Sequence, residues 1–124
     1  MQIIDANAIL RYTLNDNPEM ADEVKDLLVS SRVFVRYEVL AEVVYVLSKV
    51  YSLPKNEIAY GIKVFLSQSN VETEAAEVLL YALKTYAEKN LDFVDCLLYA
   101  FVAVQGYSVF SFDKKLVKLL KNLF

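Results

Sequence analysis

Five acidic side chains, Asp5, Glu42, Asp92, Asp95 and Asp113, stand at positions in the sequence where they could support chemistry. The chain contains no histidine, which removes every Ser-His or Cys-His pair and every histidine ligand for a metal. Its single cysteine lies in an apolar stretch, where we expect a small core residue and not a nucleophile. Any hydrolysis by this chain must therefore depend on carboxylates and a metal ion.

Short elements are predicted to position these acids. Apolar and β-branched runs at residues 2–4, 33–35, 70–72 and 107–110 predict four strands. Helical spacing of apolar residues and end signals such as Asn17-Pro18 and Gly106 predict helices between and after them. The predicted helices cover residues 7–14, 18–30, 37–51, 55–66, 75–89, 93–105 and a final segment from 113.

Alternation of strands and helices without a tight hairpin turn predicts one α/β domain over residues 1–124. We expect a three-layer α/β/α sandwich with a short parallel sheet of four or five strands. In open parallel sheets the ligand site lies outside the carboxyl ends of the strands. The carboxyl edge of the sheet is therefore where functional residues are expected.

The five acids are predicted to approach this edge. Asp5 ends the first strand and Asp113 follows the fourth, while Asp92 and Asp95 open the helix before it and Glu42 borders an apolar helical stripe. Two like charges about 4 Å apart repel by roughly 1 kcal/mol in water and about 4 kcal/mol near a protein surface. A divalent cation would neutralise such a group, and oxygen ligands alone favour Mg²⁺ or Mn²⁺ over zinc.

Each acid also has a structural explanation. Asp92 and Asp113 suit helix N-caps, Asp95 suits the first turn of a helix, and Glu42 suits an ordinary boundary position. Asp5 is the hardest to explain in this way, because an ionisable group at the end of a buried strand is costly without a partner.

Four segments together resemble the PIN-domain family, and specifically the VapC toxins of toxin–antitoxin modules. They are Ile3-Ile4-Asp5-Ala6-Asn7 with the helix after it, Leu40-Ala41-Glu42-Val43, Leu91-Asp92-Phe93-Val94-Asp95 and Val109-Phe110-Ser111-Phe112-Asp113. The resemblance covers essentially the whole chain, and Asn7 and Ser111 stand where threonine is common in the family.

The resemblance implies a site and a function. Asp5, Glu42, Asp95 and Asp113 would bind the metal, with Asp92 as a less certain fifth acid and Asn7 and Ser111 as supporting hydrogen-bonding residues. The substrate would be RNA, and an antitoxin protein would be a partner.

The basic residues near the expected site are Arg11, Arg36, Lys114 and Lys115, which could position RNA phosphates. The net charge of −3 argues against nucleic-acid binding, so their local placement matters. Lys114, Lys118 and Lys121 share one face of the last helix, where a solvated face is the simpler expectation.

The hydrophobic share of 56% is high for a soluble domain, although no apolar run approaches the roughly 20 residues of a membrane span. With one cysteine and no signal-peptide pattern, we expect a cytoplasmic protein without a membrane segment. The apolar excess predicts a homodimer through helical faces. The aromatic residues expected at such faces are Tyr45, Tyr51, Tyr60, Phe65, Tyr81 and Tyr99.

Two alternatives remain at this stage. Asp5-Ala6-Asn7 nearly matches the Asp-x-Asp of haloacid dehalogenase-type phosphatases, whose chemistry also needs a downstream lysine and a cap and gives Glu42 no role. A non-catalytic PIN-like binding or regulatory module is the other alternative.

Overall fold

Three short parallel strands organise the first part of the chain in the computed structural model, which describes residues 1–123. They are β1 (Gln2–Ile3), β2 (Val33–Val35) and β3 (Val71–Thr73), in that spatial order. Val33 of the central strand lies opposite both Gln2 and Val71. The predicted parallel sheet is therefore confirmed with three strands.

Two helices connect each pair of strands. They are α1 (Ala6–Leu14), α2 (Pro18–Ser30), α3 (Tyr37–Lys49) and α4 (Lys55–Leu66). The start of α2 follows its local signal, because the Asn17 side chain accepts a hydrogen bond from the Met20 N–H at 3.1 Å. These elements form one compact unit, Met1–Glu74.

A second compact unit begins at Ala75 and is helical. It contains α5 (Ala76–Glu88), α6 (Phe93–Gln105) and α7 (Lys114–Lys121), and α6 packs against both of the others. Cys96 is fully buried in α6, which confirms its expected role as a core residue. Within residues 1–123, no helix combines the length and apolar character needed to cross a membrane.

The fourth predicted strand is not observed. Residues 107–110 join no sheet within residues 1–123, and the side chain of Phe110 is 87% exposed. An apolar run becomes a strand only where a neighbouring strand accepts and donates its backbone hydrogen bonds, which local sequence does not specify. Of the four or five predicted strands, the sheet in residues 1–123 therefore shows three.

Two of the aromatic residues expected at an interface belong to the core. Phe65 is fully buried and its ring lies edge-on to Tyr12, with centroids 5.4 Å apart. Tyr99 is also buried, with its ring centroid 6.2 Å from that of Tyr81. The prediction was therefore wrong for Phe65 and Tyr99, whose rings pack inside the protein against Tyr12 and Tyr81.

Two glycines are expected to respond oppositely to alanine substitution. Gly106 ends α6 with a φ of 73°, so Gly106→Ala should lower the free energy of unfolding by about 1 kcal/mol. Gly61 lies inside α4, where an added Cβ would meet Thr13 Cγ2 at an ordinary 3.5 Å, so Gly61→Ala should raise it by up to about 1 kcal/mol. Urea unfolding measures both changes, and a Gly106→Ala protein as stable as the wild type would contradict the assignment.

Candidate active site

Asp113 is held at the N-terminus of α7 by two hydrogen bonds. The Ser111 hydroxyl oxygen accepts from the Asp113 N–H at 3.0 Å, and Asp113 Oδ1 accepts from the Leu116 N–H at 3.0 Å. Leu116 is buried, so the first turn of α7 is anchored below the carboxylate. Asp113 is therefore a genuine N-cap, and its second carboxylate oxygen is available to a ligand.

Asp95 lies in the first turn of α6 and is half-buried. Burial raises its pKa, and the charges of Asp113 and Asp92 raise it further. Asp92 stands at the N-cap of α6, but its side chain forms no capping hydrogen bond. A capping role therefore does not explain why an acid occupies this position. Lys115 donates to the Asn90 carbonyl and joins the start of α7 to the loop before α6. The charges of two predicted acids, Asp92 and Asp113, thus act on a third, Asp95, within the second unit.

Asp5 has a local role that the sequence analysis missed. It is the N-cap of α1, and its Oδ1 accepts from the Ala8 N–H at 2.9 Å. The expectation of a buried strand before it was wrong, because β1 is an edge strand with both residues exposed, and Asp5 is exposed too. The missed signal was the helix start at Ala6, one residue earlier than predicted, which makes Asp5 a standard capping residue.

Glu42 also differs from its expected setting. It lies in α3 beside the buried Val43 and Val44, but its own side chain is exposed. A position bordering an apolar stripe was predicted to be partly covered, and the helix rotation places it on the solvent side. Asn7, in the first turn of α1, is exposed as well.

The donor chemistry of these residues fits a hard divalent cation. All the candidate ligands are carboxylates, which prefer Mg²⁺ or Mn²⁺. Burial and the charges of Asp113 and Asp92 raise the pKa of Asp95, and a bound cation would favour its ionised form. Asp5 and Glu42 belong to the first unit and Asp92, Asp95 and Asp113 to the second. Within the described part of the chain, no three acidic or cysteine side chains are gathered in a group that could hold a metal.

Most of the predicted phosphate-binding residues have protein partners. Arg11 pairs with Asp16 at 2.9 Å, and Arg36 pairs with Glu38 at 2.8 Å and Glu74 at 3.3 Å. The Lys115 ammonium donates a hydrogen bond to the Asn90 carbonyl. Among residues 1–123, the Lys114 side chain forms no ion pair or hydrogen bond, so it is the most available of the four.

Comparison with known protein families adds independent support. The PIN domain family matches residues 3–121, which is nearly the whole chain, and the chain therefore belongs to this family. PIN domains are generally nucleases that use divalent metal ions, so the carboxylates stand in a nuclease-type domain. No curated protein and no solved structure matches the chain significantly. The match favours the PIN-domain interpretation over the haloacid dehalogenase alternative.

Proposed function

We propose that this protein is a Mg²⁺- or Mn²⁺-dependent endoribonuclease and the toxin of a VapC-type toxin–antitoxin pair. The observation that carries the proposal is the match of the PIN domain family to residues 3–121, in a chain whose Asp92, Asp95 and Asp113 stand at the starts of two helices. Acids that repel one another beside a helix N-terminus are a costly arrangement for stability alone. A bound divalent cation would neutralise the repulsion between these carboxylates.

Asp5, Glu42, Asp95 and Asp113 would hold the cation, with Asp92 as a fifth acid. A divalent cation supplies a more acidic water and offsets charge on a phosphate. Ser111 and the Leu116 N–H fix Asp113, and the Ala8 N–H fixes Asp5, so two of the acids are oriented before any ligand binds. Asn7 would add a hydrogen-bonding group beside Asp5.

Cleavage assays with and without a chelator test this proposal directly. The protein, purified free of any partner, should cut single-stranded RNA with Mg²⁺ or Mn²⁺ and stop when EDTA is added. Single-stranded DNA of the same sequence should be cut more slowly, since the proposed substrate is RNA. RNA cleavage that continues unchanged in EDTA would contradict the metal dependence.

A non-catalytic RNA-binding or regulatory module is the second candidate. It is favoured by the finding that, among residues 1–123, no three acids are gathered to hold a metal. Binding of RNA without cleavage at saturating Mn²⁺ would select this alternative.

A homodimer is part of the proposal, and exposed tyrosines support it. Tyr45 in α3 is 63% exposed and Tyr60 in α4 is 70% exposed, and tyrosine buries a large ring while keeping a polar tip. Light scattering at micromolar concentration should give a dimer, and Tyr60→Glu should shift it towards monomer. Gln105→Glu makes the same charge change at an exposed position in α6 and should leave the dimer intact. A strictly monomeric wild-type protein would contradict the dimer.

The antitoxin is proposed to bind through an amphipathic segment. A basic residue of that segment would enter the acidic site and compete with the metal, because the carboxylates attract cations. The cognate partner should therefore inhibit cleavage, and replacing its basic residues should relieve the inhibition.

A further inference from the structure

Arg36 lies between two carboxylates just beyond the central strand. Its Nε donates a hydrogen bond to Glu38 Oε1 at 2.8 Å, and its Nη1 lies 3.3 Å from Glu74 Oε1. Glu38 is in the first turn of α3, and Glu74 directly follows β3. These three residues, which we call the Arg36 cluster, all belong to the unit Met1–Glu74, so their contacts are made within one unit.

The strand register places the Arg36 cluster at the same edge of the sheet as a candidate metal ligand. Ile3 of β1 lies opposite Phe34 of β2, which puts Asp5 level with Arg36. The pairing of β2 with β3 puts Glu74 level with Arg36 on its other side. Neighbouring strands lie about 4.8 Å apart, so a phosphate near Asp5 is within reach of an arginine side chain at position 36.

The charges of the Arg36 cluster are not balanced. One guanidinium faces two carboxylates, so the cluster as a whole is negative although it contains an arginine. The hydrogen bond and charge of Glu38, and then the charge of Glu74, raise the pKa of Arg36 and keep it ionised. A cluster with excess negative charge does not attract RNA, so Arg36 can contact a phosphate only after one of the acids has left it.

Glu74 is the more weakly bound of the two acids. Its separation of 3.3 Å from Arg36 exceeds the roughly 2.7–2.9 Å of a charge-assisted N–H···O bond, whereas Glu38 lies within that range at 2.8 Å. A phosphate presents its oxygens to a guanidinium in the same planar geometry as a carboxylate does. A phosphate can therefore replace Glu74 while Glu38 keeps the guanidinium oriented.

We propose that Arg36 contacts a phosphate of the RNA and that Glu74 competes with the RNA for Arg36. This inference rests on the proposed nuclease function and adds to it a residue, Glu74, that sets how tightly the substrate binds. An RNA that reaches Asp5 without bringing a phosphate to Arg36 leaves Glu74 in place and meets excess negative charge. Glu74 is therefore a specificity-determining residue, because it favours strands whose phosphates reach both positions.

Binding measurements in EDTA test this competition without cleavage. The probe is a fluorescent single-stranded RNA of about 12 nucleotides, titrated with protein at several salt concentrations. The variants are Glu74→Gln, Arg36→Gln and the double substitution. Their matched controls are Glu72→Gln and Arg32→Gln. Arg32 and Glu72 form an ion pair of the same kind, at 2.6 Å, but Arg32 directly precedes β2 whereas Arg36 directly follows it.

The two single variants should change RNA binding in opposite directions. Glu74→Gln should bind at least about threefold more tightly than the wild type, and Glu72→Gln should gain clearly less. Arg36→Gln should bind more weakly, and its slope of log affinity against log salt should fall by about 0.7, the value for one phosphate contact, while Arg32→Gln keeps the slope. The double variant should gain over Arg36→Gln only what Glu72→Gln gains over the wild type, because Glu74 then has no arginine to restrain.

Several results would overturn the competition. One is a Glu74→Gln protein, folded by circular dichroism, that binds RNA no more tightly than the wild type. Another is an equal gain in Glu72→Gln, which would reduce the effect to net charge, and a third is an unchanged salt slope in Arg36→Gln. Cleavage is scored separately with Mn²⁺. A protein that shows the expected binding changes without cleavage contradicts only the proposed function, whereas normal cleavage with RNA affinity unaffected by Glu74→Gln contradicts only the competition.

Discussion

The Asp5→Asn variant should cleave single-stranded RNA at least about a hundredfold more slowly than the wild-type protein. The carboxylate is proposed to hold a divalent cation against the phosphate, and an amide supplies neither the charge nor a comparable ligand. The substitution keeps the fold, because Asn caps helices as well as Asp does and can still accept from the Ala8 N–H. Initial rates at saturating Mn²⁺ measure the effect.

Asp22→Asn is the matched control for this loss. Asp22 is an exposed acid of α2 whose nearest cation, Lys25, lies 4.0 Å away, so the variant removes one negative charge outside the candidate site. It should cleave at the wild-type rate. An Asp5→Asn protein that cuts as fast as the wild type would disprove the proposed mechanism.

Metal should raise the melting temperature of the wild-type protein and raise that of Asp95→Asn much less. A ligand present at about a hundred times its dissociation constant stabilises a fold by about 2.7 kcal/mol. In EDTA, Asp95→Asn should be at least as stable as the wild type. The substitution removes a negative charge that burial, Asp113 and Asp92 all disfavour. Removing about 1 kcal/mol of repulsion corresponds to a gain of about 4 °C in a domain of this size.

The difference in stability between the metal-free wild type and Asp95→Asn should depend on pH, because the pKa of Asp95 is raised. The pKa of Asp95 is higher in the folded protein than its ordinary value, so ionised Asp95 lowers stability above the folded pKa. As the pH falls through the raised pKa, Asp95 becomes neutral and the metal-free wild type should approach Asp95→Asn in stability. Thermal melts of both proteins across this range measure the convergence, with Asp22→Asn as the charge control. Equal metal shifts in all three proteins would show that Asp95 is not a metal ligand.

The helices and their ends could be predicted well from the sequence. The bounds of α2 and α4 are those expected, and the caps at Asn17, Gly106 and Asp113 have the predicted roles. These features depend on residues within one or two turns of each other, so local pattern and backbone chemistry suffice to specify them. The acids at the starts of α6 and α7 were identifiable for the same reason.

Contacts distant in sequence were decided only by the tertiary structure. Residues 107–110 have the composition of a strand but lack a paired neighbour, and Arg36 is engaged by Glu74, which lies 38 positions further along the chain. The exposure of Glu42 depends on how α3 is rotated against its neighbours, which helical periodicity defines only to within one position. The raised pKa of Asp95 likewise depends first on its burial and then on the charge of Asp113, which lies 18 positions further along the chain.

The sequence by itself thus determined which elements form and which carboxylates stand at their ends, because those properties are local. The tertiary structure decided which side chains are buried and which basic side chains already form ion pairs with acidic residues. Burial and pairing depend on the solvent and charges that distant segments exclude or supply, and no local pattern contains that information.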